Sequence, residues 1–335
     1  MEKKKRGLSV SPRAKHTGQD QGIVFRDLPL SMMRINERYD FDIYLQIRGD
    51  HRLFAARGAL FTDQHSKLLT DGSIRLYVKD DEWDRVEEYQ TSYLSRILAD
   101  PAVDSRDKAS VAFTASMRSI REIFRSVEPR TIRDVEKNAE EMVRLILSEE
   151  EVMENLIWIE SHDHFTYQHS VRVGIYATAL TIKLFSDKLT KQGMAALSAG
   201  YFLHDIGMAQ IPMRILEKSS PLTPSEWGLI RMHPMWGYDR LLETGHLTPE
   251  AAAIVLSHHE RHDGSGYPFA REGNGIPAYA KICAIVDTFE SLTAPRPYRE
   301  SVKPFHALKI MQQEMVAEFD AEMFKSFILL LGPGG

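Results

Sequence analysis

The sequence predicts a mainly α-helical protein with a small β-rich domain near its N-terminus. From about Asp104 onward, apolar residues recur every three to four positions, which is the period of a helix buried on one face. Before residue 100, short β-branched and aromatic runs alternate with turn signals. We therefore expect three regions: a disordered tail at 1–21, a β-rich regulatory or sensory domain at 22–100, and a helical domain at 101–335 that includes linker helices and has its site at 160–325.

The bulk composition narrows the class of protein. The chain has 335 residues, of which 43% are hydrophobic, enough for a sizeable core. The net charge is −5 and the pI about 6.2, so neither the composition nor the charge suggests DNA as a partner. Cys283 is alone, which excludes an internal disulfide and favours a cytoplasmic setting. No apolar run approaches ~18 residues, so we expect no membrane span.

The N-terminal third contains strand patterns but no cluster of reactive residues. The tail at 1–21 begins with basic residues and lacks the apolar segment of a secretory signal, although a nucleic-acid-binding arm is a less favoured alternative. Three runs predict strands: "DFDIYLQI" (40–47), "RLFAARG" (52–58) and "IRLYVK" (74–79). "DEWDRVEEYQTSYLSRIL" (81–98) then predicts one amphipathic helix. This domain is expected to sense, regulate or dimerise.

Capping residues mark the starts of two helices in the second half of the sequence. In "LTPSEW", Thr223 can cap a helix, with Pro224 at its first position and Glu226 closing a capping box. "LTPEAAAIVLSHHE" repeats the Thr-Pro start at 248–249. We expect the first helix to end at a histidine followed by a stopping proline at 233–234, and the second to end in two adjacent histidines.

Polar residues interrupt several apolar helices. Ten of the thirteen histidines lie between 162 and 306, and each alone is more often a surface or hydrogen-bonded core residue. Together, their positions within or at the ends of apolar helices are explained by one buried metal site, because a buried charge must be paired or must coordinate a metal. The candidate ligands are His169, His204, Asp205, His233, His258, His259 and Asp287.

The ligand types indicate the metal class. Imidazoles and carboxylates without thiolates suit Fe, Mn, Zn or Ni. Seven candidates are too many for one ion and natural for two, which in hydrolytic sites lie ~3.5–4 Å apart.

These motifs resemble those of a known family. "HDIG" at 204–207 and "HHERHDGSGYP" at 258–268 closely resemble the HD-GYP branch of the HD-domain phosphohydrolases. The resemblance runs from "HSVRV" at 169 to "FDAEMF" at 319–324 and leaves out the first 100 residues. It implies a bacterial phosphodiesterase that linearises cyclic di-GMP to pGpG, with some members continuing to GMP.

The resemblance also implies roles for the candidate ligands. One metal would be held by His169, His204, Asp205 and Asp287, and the other by His233, His258 and His259, with Asp205 bridging. A bridging hydroxide would attack phosphorus in line, which makes His204 and Asp205 catalytic residues. The two divalent ions are expected to be Fe or Mn.

Other residues are expected to contact the substrate. In "RPYR", Arg296 and either Arg299 or the nearby Lys303 resemble a phosphate clamp; a surface salt bridge is an equally good interpretation of Arg299. Tyr267 could stack near the substrate or merely hold its loop. Asp263 is expected to orient a ligand histidine.

The sequence departs from the family pattern at two important positions. Many members have lysine directly after His-Asp-Ile-Gly, where this chain has Met208. This predicts slow turnover, unless Arg214 or Lys218 reaches the phosphate instead. Members with a third metal have a glutamate where this chain has Phe165, so a trinuclear site is not expected and pGpG should accumulate.

Three functions remain open. The leading one is a cyclic di-GMP phosphodiesterase controlled by the N-terminal domain. The second is a degenerate receptor that binds cyclic di-GMP with little turnover, and the third is a phosphohydrolase acting on another nucleotide. A homodimer, or a regulatory protein docking on the N-terminal domain or on the loop at 266–268, is a further expected partner.

Overall fold

The computed structural model describes most of the chain. The described residues are 23–29, 32–47, 49–69, 75–157, 165–216, 218, 220–246, 248–294 and 301–332. The tail predicted at 1–21 lies outside them, as do Arg296 and Arg299 of the predicted phosphate clamp. The chain divides into two compact units, Met1–Val86 and Glu87–Gly335. The division falls inside the segment that the sequence placed at the end of the first domain.

The first unit is built on antiparallel strands. A four-stranded sheet has the order β1-β6-β3-β4, and β2 pairs with β5. All three predicted runs contain strands, and Gly49 adopts φ +91° in the turn between β3 and β4, a conformation that suits glycine. The elements are β1 (Phe25–Leu28), β2 (Glu37–Arg38), β3 (Ile43–Ile47), β4 (Asp50–Ala55), β5 (Leu60–Phe61), α1 (Asp63–Leu68) and β6 (Leu76–Lys79).

The helix predicted at 81–98 is two helices. α2 spans Trp83–Ser92 and α3 spans Leu94–Ala99. Tyr93 lies between them with non-helical dihedral angles, φ −109° and ψ 13°. Neither glycine nor proline marks this break. The apolar periodicity therefore continues across it, and the sequence pattern predicts a single helix.

The second unit is helical, which confirms the predicted fold class. Helix α7 is its centre and packs against α4, α8, α13 and α15. The sequence of α7 is apolar on most of its circumference, as expected of a helix buried on all sides. The helices are α4 (Ser105–Arg125), α5 (Pro129–Ser148), α6 (Glu150–Ile157), α7 (Phe165–Phe185), α8 (Lys191–Phe202), α9 (Met213–Leu216), α10 (Pro224–Ile230), α11 (His233–Leu242), α12 (Pro249–Ser257), α13 (Ala278–Thr293), α14 (Pro304–Glu314) and α15 (Ala321–Leu331). Within the described parts of the chain, none of these helices is long and apolar enough to cross a membrane.

Both predicted caps are present. The Thr223 hydroxyl accepts a hydrogen bond from the Glu226 N–H, and the Glu226 carboxylate accepts one from the Thr223 N–H at 2.7 Å. Thr248 caps α12 in the same way through the Ala251 N–H.

One helix boundary was predicted wrongly. His233 does not end the helix capped by Thr223, because α10 ends at Ile230 and His233 is the first residue of α11. Pro234 therefore lies in the first turn of a helix. Its missing N–H costs nothing there, since the first N–H groups of a helix have no intrahelical partner.

Candidate metal centre

The structure brings all seven predicted ligands together. Their donor atoms form two groups, in each of which the atoms lie within 4.8 Å of one another. The first group is His169, His204 and Asp287; the second group is Asp205, His233, His258 and His259. α7 contributes from its second turn and α13 from its middle, whereas the other ligands lie just after the ends of α8 and α12 and at the start of α11.

Asp205 joins the two groups. Its Oδ2 lies 3.4 Å from His169 Nε2 and 3.6 Å from His204 Nε2. Its Oδ1 lies 3.0 Å from His233 Nε2 and 3.5 Å from His258 Nε2. Each carboxylate oxygen thus faces a different group, the arrangement that a bridging ligand requires.

Three of the histidines are oriented by backbone carbonyls. Each Nδ1 faces the carbonyl oxygen of the residue three positions earlier, at the end of a helix where carbonyls lack an intrahelical partner. The pairs are His204 with Tyr201 at 2.8 Å, His233 with Ile230 at 2.6 Å and His258 with Val255 at 3.0 Å. Nδ1 must donate to a carbonyl, so the neutral ring presents a lone pair at Nε2.

With both rings neutral and Nδ1 donating, the Nε2 lone pairs of two of these histidines would face each other. His233 Nε2 and His258 Nε2 lie 3.1 Å apart, and both approach Asp205 Oδ1. Three acceptors facing one another repel unless a cation lies among them. The buried second group therefore fits a metal ion better than it fits a hydrogen-bond network.

Burial keeps two of the histidines in the neutral state that binds metal. It lowers the pKa of His204 to about 4 and the pKa of His259 well below its ordinary value, so both rings stay neutral. Burial alone would raise the pKa of Asp205, but His204 and the neighbouring imidazoles hold it well below its usual range. The carboxylate is therefore charged.

Glu290 is a member of the site that sequence reasoning missed. Its carboxylate is buried and accepts a hydrogen bond from His169 Nδ1. Burial lowers the pKa of His169, but Glu290 and the two nearby aspartates raise it well above its ordinary value. A positive charge is thus stabilised at this point, whether a proton or a metal carries it. The available signal was the spacing of Asp287 and Glu290, three residues apart on the apolar helix α13.

Gly207 allows two ligand segments to touch. A Cβ atom there would lie 1.9 Å from the His233 carbonyl oxygen and 2.7 Å from the Gly237 nitrogen. The φ of Gly207 is not in the left-handed region, so a turn does not require glycine here. Its role is close packing of the 206–210 segment against α11.

The loop after His259 folds back onto the cluster. The Tyr267 ring stacks on the His259 ring with centroids 4.6 Å apart. Buried Glu260 accepts hydrogen bonds from the N–H groups of Phe269 and Arg271 at 2.8 and 2.9 Å, which fixes the loop. The prediction for Asp263 was wrong: it is exposed and bonds Ser265 within its own turn.

The predicted substrate contacts lie at varied positions. Met208 is half-buried in the 3₁₀ turn after Asp205, and Arg214 is exposed on α9. Lys303 is exposed at the cap of α14. Lys218 is held by Glu226, with Nζ 2.6 Å from the carboxylate, so its charge is already paired.

The fold and the cluster define a helical domain whose buried histidines and aspartates surround a metal-binding centre. The chain matches the family described as "HD domain" over residues 151–323. It belongs to the HD-domain family, and the recognition of its HD-GYP branch from the sequence is confirmed. Family membership implies a bound divalent metal, and the His/Asp cluster supplies suitable donors.

Three curated relatives are each similar to a little more than half of this chain. A cyclic di-GMP phosphodiesterase of Pseudomonas aeruginosa is 33% identical over 195 residues, covering 58% of this chain and 46% of the relative. A cyclic di-GMP phosphodiesterase of Thermotoga maritima is 31% identical, covering 54% and 49%. The 3′3′-cGAMP-specific phosphodiesterase 1 of Vibrio cholerae is 34% identical, covering 54% and 41%. The chain thus spans less than half the length of these relatives.

A solved structure shares the fold. An HDG"Y"P protein from Bdellovibrio bacteriovorus superposes with a TM-score of 0.65 at 20% identity, covering 92% of this chain and all of that chain. This similarity supports the architecture alone.

Proposed function

We propose that the protein is a metal-dependent phosphodiesterase that opens cyclic di-GMP to linear pGpG at a dinuclear centre. The observation that carries the proposal is that the ligand residues form two groups, with one oxygen of Asp205 facing histidines of each group. Several curated relatives of similar identity act on cyclic di-GMP, as their names state.

Two divalent ions, Fe or Mn by the ligand set, would supply Lewis acidity and an activated water to the phosphodiester. The protein's own residues position these reactants. Asp205 would hold both ions, and the carbonyl-bonded rings of His204, His233 and His258 would direct Nε2 inward without reorganisation. The anionic Asp205 needs no proton transfer before it binds.

The substrate would be held at the rim of this centre. Tyr267 closes one side by stacking on His259, and we retain Arg296, Arg299 and Lys303 as a proposed phosphate clamp. Arg214 and Met208 remain candidate contacts. The single cysteine keeps the cytoplasm as the proposed setting, and homodimerisation and regulation through the N-terminal unit or the 266–268 loop remain proposals.

A second candidate substrate has specific support. The 3′3′-cGAMP-specific relative is as similar to this chain as the cyclic di-GMP phosphodiesterases are. Both dinucleotides present the same phosphodiester linkage to the metal centre and differ in one base. Identity alone therefore does not separate them.

One experiment separates these functions. The protein is reconstituted anaerobically with Fe or Mn and incubated with each cyclic dinucleotide, and the products are separated by chromatography. We expect cyclic di-GMP to be consumed preferentially, with pGpG accumulating. Preference for 3′3′-cGAMP would reassign the substrate, whereas tight binding of cyclic di-GMP without product would assign a receptor. Asp205→Asn serves as the inactive control.

A further inference from the structure

An arginine outside the metal cluster lies beside its rim. Arg231 continues the last turn of α10, since its N–H bonds the Trp227 carbonyl at 3.0 Å, and it precedes His233 by two residues. Its guanidinium lies over the Tyr267 ring, 5.5 Å from the centroid. Because Tyr267 stacks on His259, Arg231 is connected to the second ligand group by two ring contacts.

The charge of Arg231 is not used within the described part of the chain. Arg231 is exposed, and no described carboxylate or carbonyl accepts a hydrogen bond from its guanidinium. Neighbouring cations differ: Arg261 bonds Glu318 at 3.1 Å and backbone carbonyls at 3.3 Å, and Lys218 bonds Glu226. An exposed cation–π contact is weak, so it does not by itself explain an arginine here.

A cation beside the metal centre would attract the proposed substrate, which is a phosphodiester anion. The metal ions that the cluster would hold already offset its carboxylates, so Arg231 would act on the substrate's own charge. A guanidinium suits a phosphodiester because it can donate two parallel hydrogen bonds to phosphate oxygens.

We propose that Arg231 contacts the phosphodiester of the substrate, with the Tyr267 ring holding its guanidinium in place. The proposal rests on the proposed phosphodiesterase function. It adds to that function a substrate-binding residue at the end of α10.

The test compares three variants of the metal-loaded full chain. Arg231→Gln removes the positive charge, and Arg231→Lys keeps the charge but cannot donate two parallel hydrogen bonds. Arg240→Gln is the matched control. Arg240 is an equally exposed arginine on α11 that pairs only with the nearby Glu243 among the described residues. The substrates are cyclic di-GMP and the generic phosphodiester bis(p-nitrophenyl) phosphate, and a non-cleavable phosphorothioate analogue of cyclic di-GMP reports binding.

We expect Arg231→Gln to raise KM and weaken analogue binding about tenfold, as for loss of one partly exposed charge-assisted contact. Arg231→Lys should lose less, and Arg240→Gln should match the wild type. Metal content and thermal unfolding should stay unchanged in all three. The salt dependence of KM should be weaker in Arg231→Gln, since a screened attraction has been removed.

Equal KM and analogue affinity in Arg231→Gln and Arg240→Gln would overturn the inference. Loss of metal in Arg231→Gln would also overturn it, because the residue would then support the centre rather than the substrate. If the wild type cleaves only bis(p-nitrophenyl) phosphate, the proposed substrate is wrong and Arg231 is judged on that phosphodiester. If the wild type neither cleaves nor binds any of them, both proposals fail.

Discussion

Replacing Gly207 by alanine should damage the metal centre without altering a ligand. The new Cβ would lie 1.9 Å from the His233 carbonyl oxygen, whereas carbon atoms in ordinary contact are separated by roughly 3.5 Å or more. The 206–210 segment and α11 would have to separate by roughly 1.5 Å. Asp205 directly precedes the 206–210 segment and His233 begins α11, and their Oδ1 and Nε2 are 3.0 Å apart. Overpacking commonly costs 1–3 kcal/mol, and because both sides here are backbone we expect about 3 kcal/mol or more.

Two measurements check this prediction. Urea unfolding followed by circular dichroism gives the stability of the metal-free chain, and elemental analysis gives the metal content after reconstitution. Gly228→Ala on α10 is the matched control, since its Cβ would meet nothing within 4 Å. It should stabilise by about 0.5–1 kcal/mol, because alanine restricts the unfolded chain. If Gly207→Ala retained full stability and full metal content, the packing argument would be refuted.

Three further predictions concern the centre. Asp205→Ala should lose metal from a wild type that holds about two ions per chain; full content by elemental analysis would exclude the bridging role. Glu290→Gln should weaken metal affinity about 10- to 100-fold in chelator competition, because His169 loses its charged acceptor; unchanged affinity would reduce Glu290 to a packing residue. Met208→Lys should raise single-turnover rates about a hundredfold at unchanged metal content. An unchanged rate there, with a collapse in Arg214→Ala or Lys218→Ala, would reject position 208 as limiting.

The ligand set could be predicted because its members conflict with their surroundings. A histidine or aspartate buried in an apolar helix without a partner is destabilising. Such a residue can be recognised from the sequence alone, because its neighbours are apolar. Asp287 in "ICAIVDTF" is the clearest case, and it lies in the buried face of α13. The strands at 43–47 and 76–79 were predicted for a similar reason, because their β-branched runs are bounded by turns.

Residues whose role depends on tertiary contact could not be predicted. Gly207 resembles a turn residue until its approach to the His233 carbonyl is known. Arg231 resembles any surface arginine until the loop carrying Tyr267 folds over it. Pro234 is ambiguous locally, because proline both follows helices and starts them. The packing of α11 against the 206–210 segment shows that Pro234 starts a helix rather than follows one.

The histidines of the cluster differ in how they are held, and this follows from where helices end. His204, His233 and His258 use carbonyls of a last helical turn, so the backbone that ends each helix also orients the ligand after it. His169 lies inside α7, where carbonyls are occupied by the helix itself, and it therefore needs the side chain of Glu290. Among the described residues, His169 thus depends on a buried carboxylate that mutation can remove. The three carbonyl-bonded histidines depend on helix ends, so their geometry is disturbed through the backbone rather than through an orienting side chain.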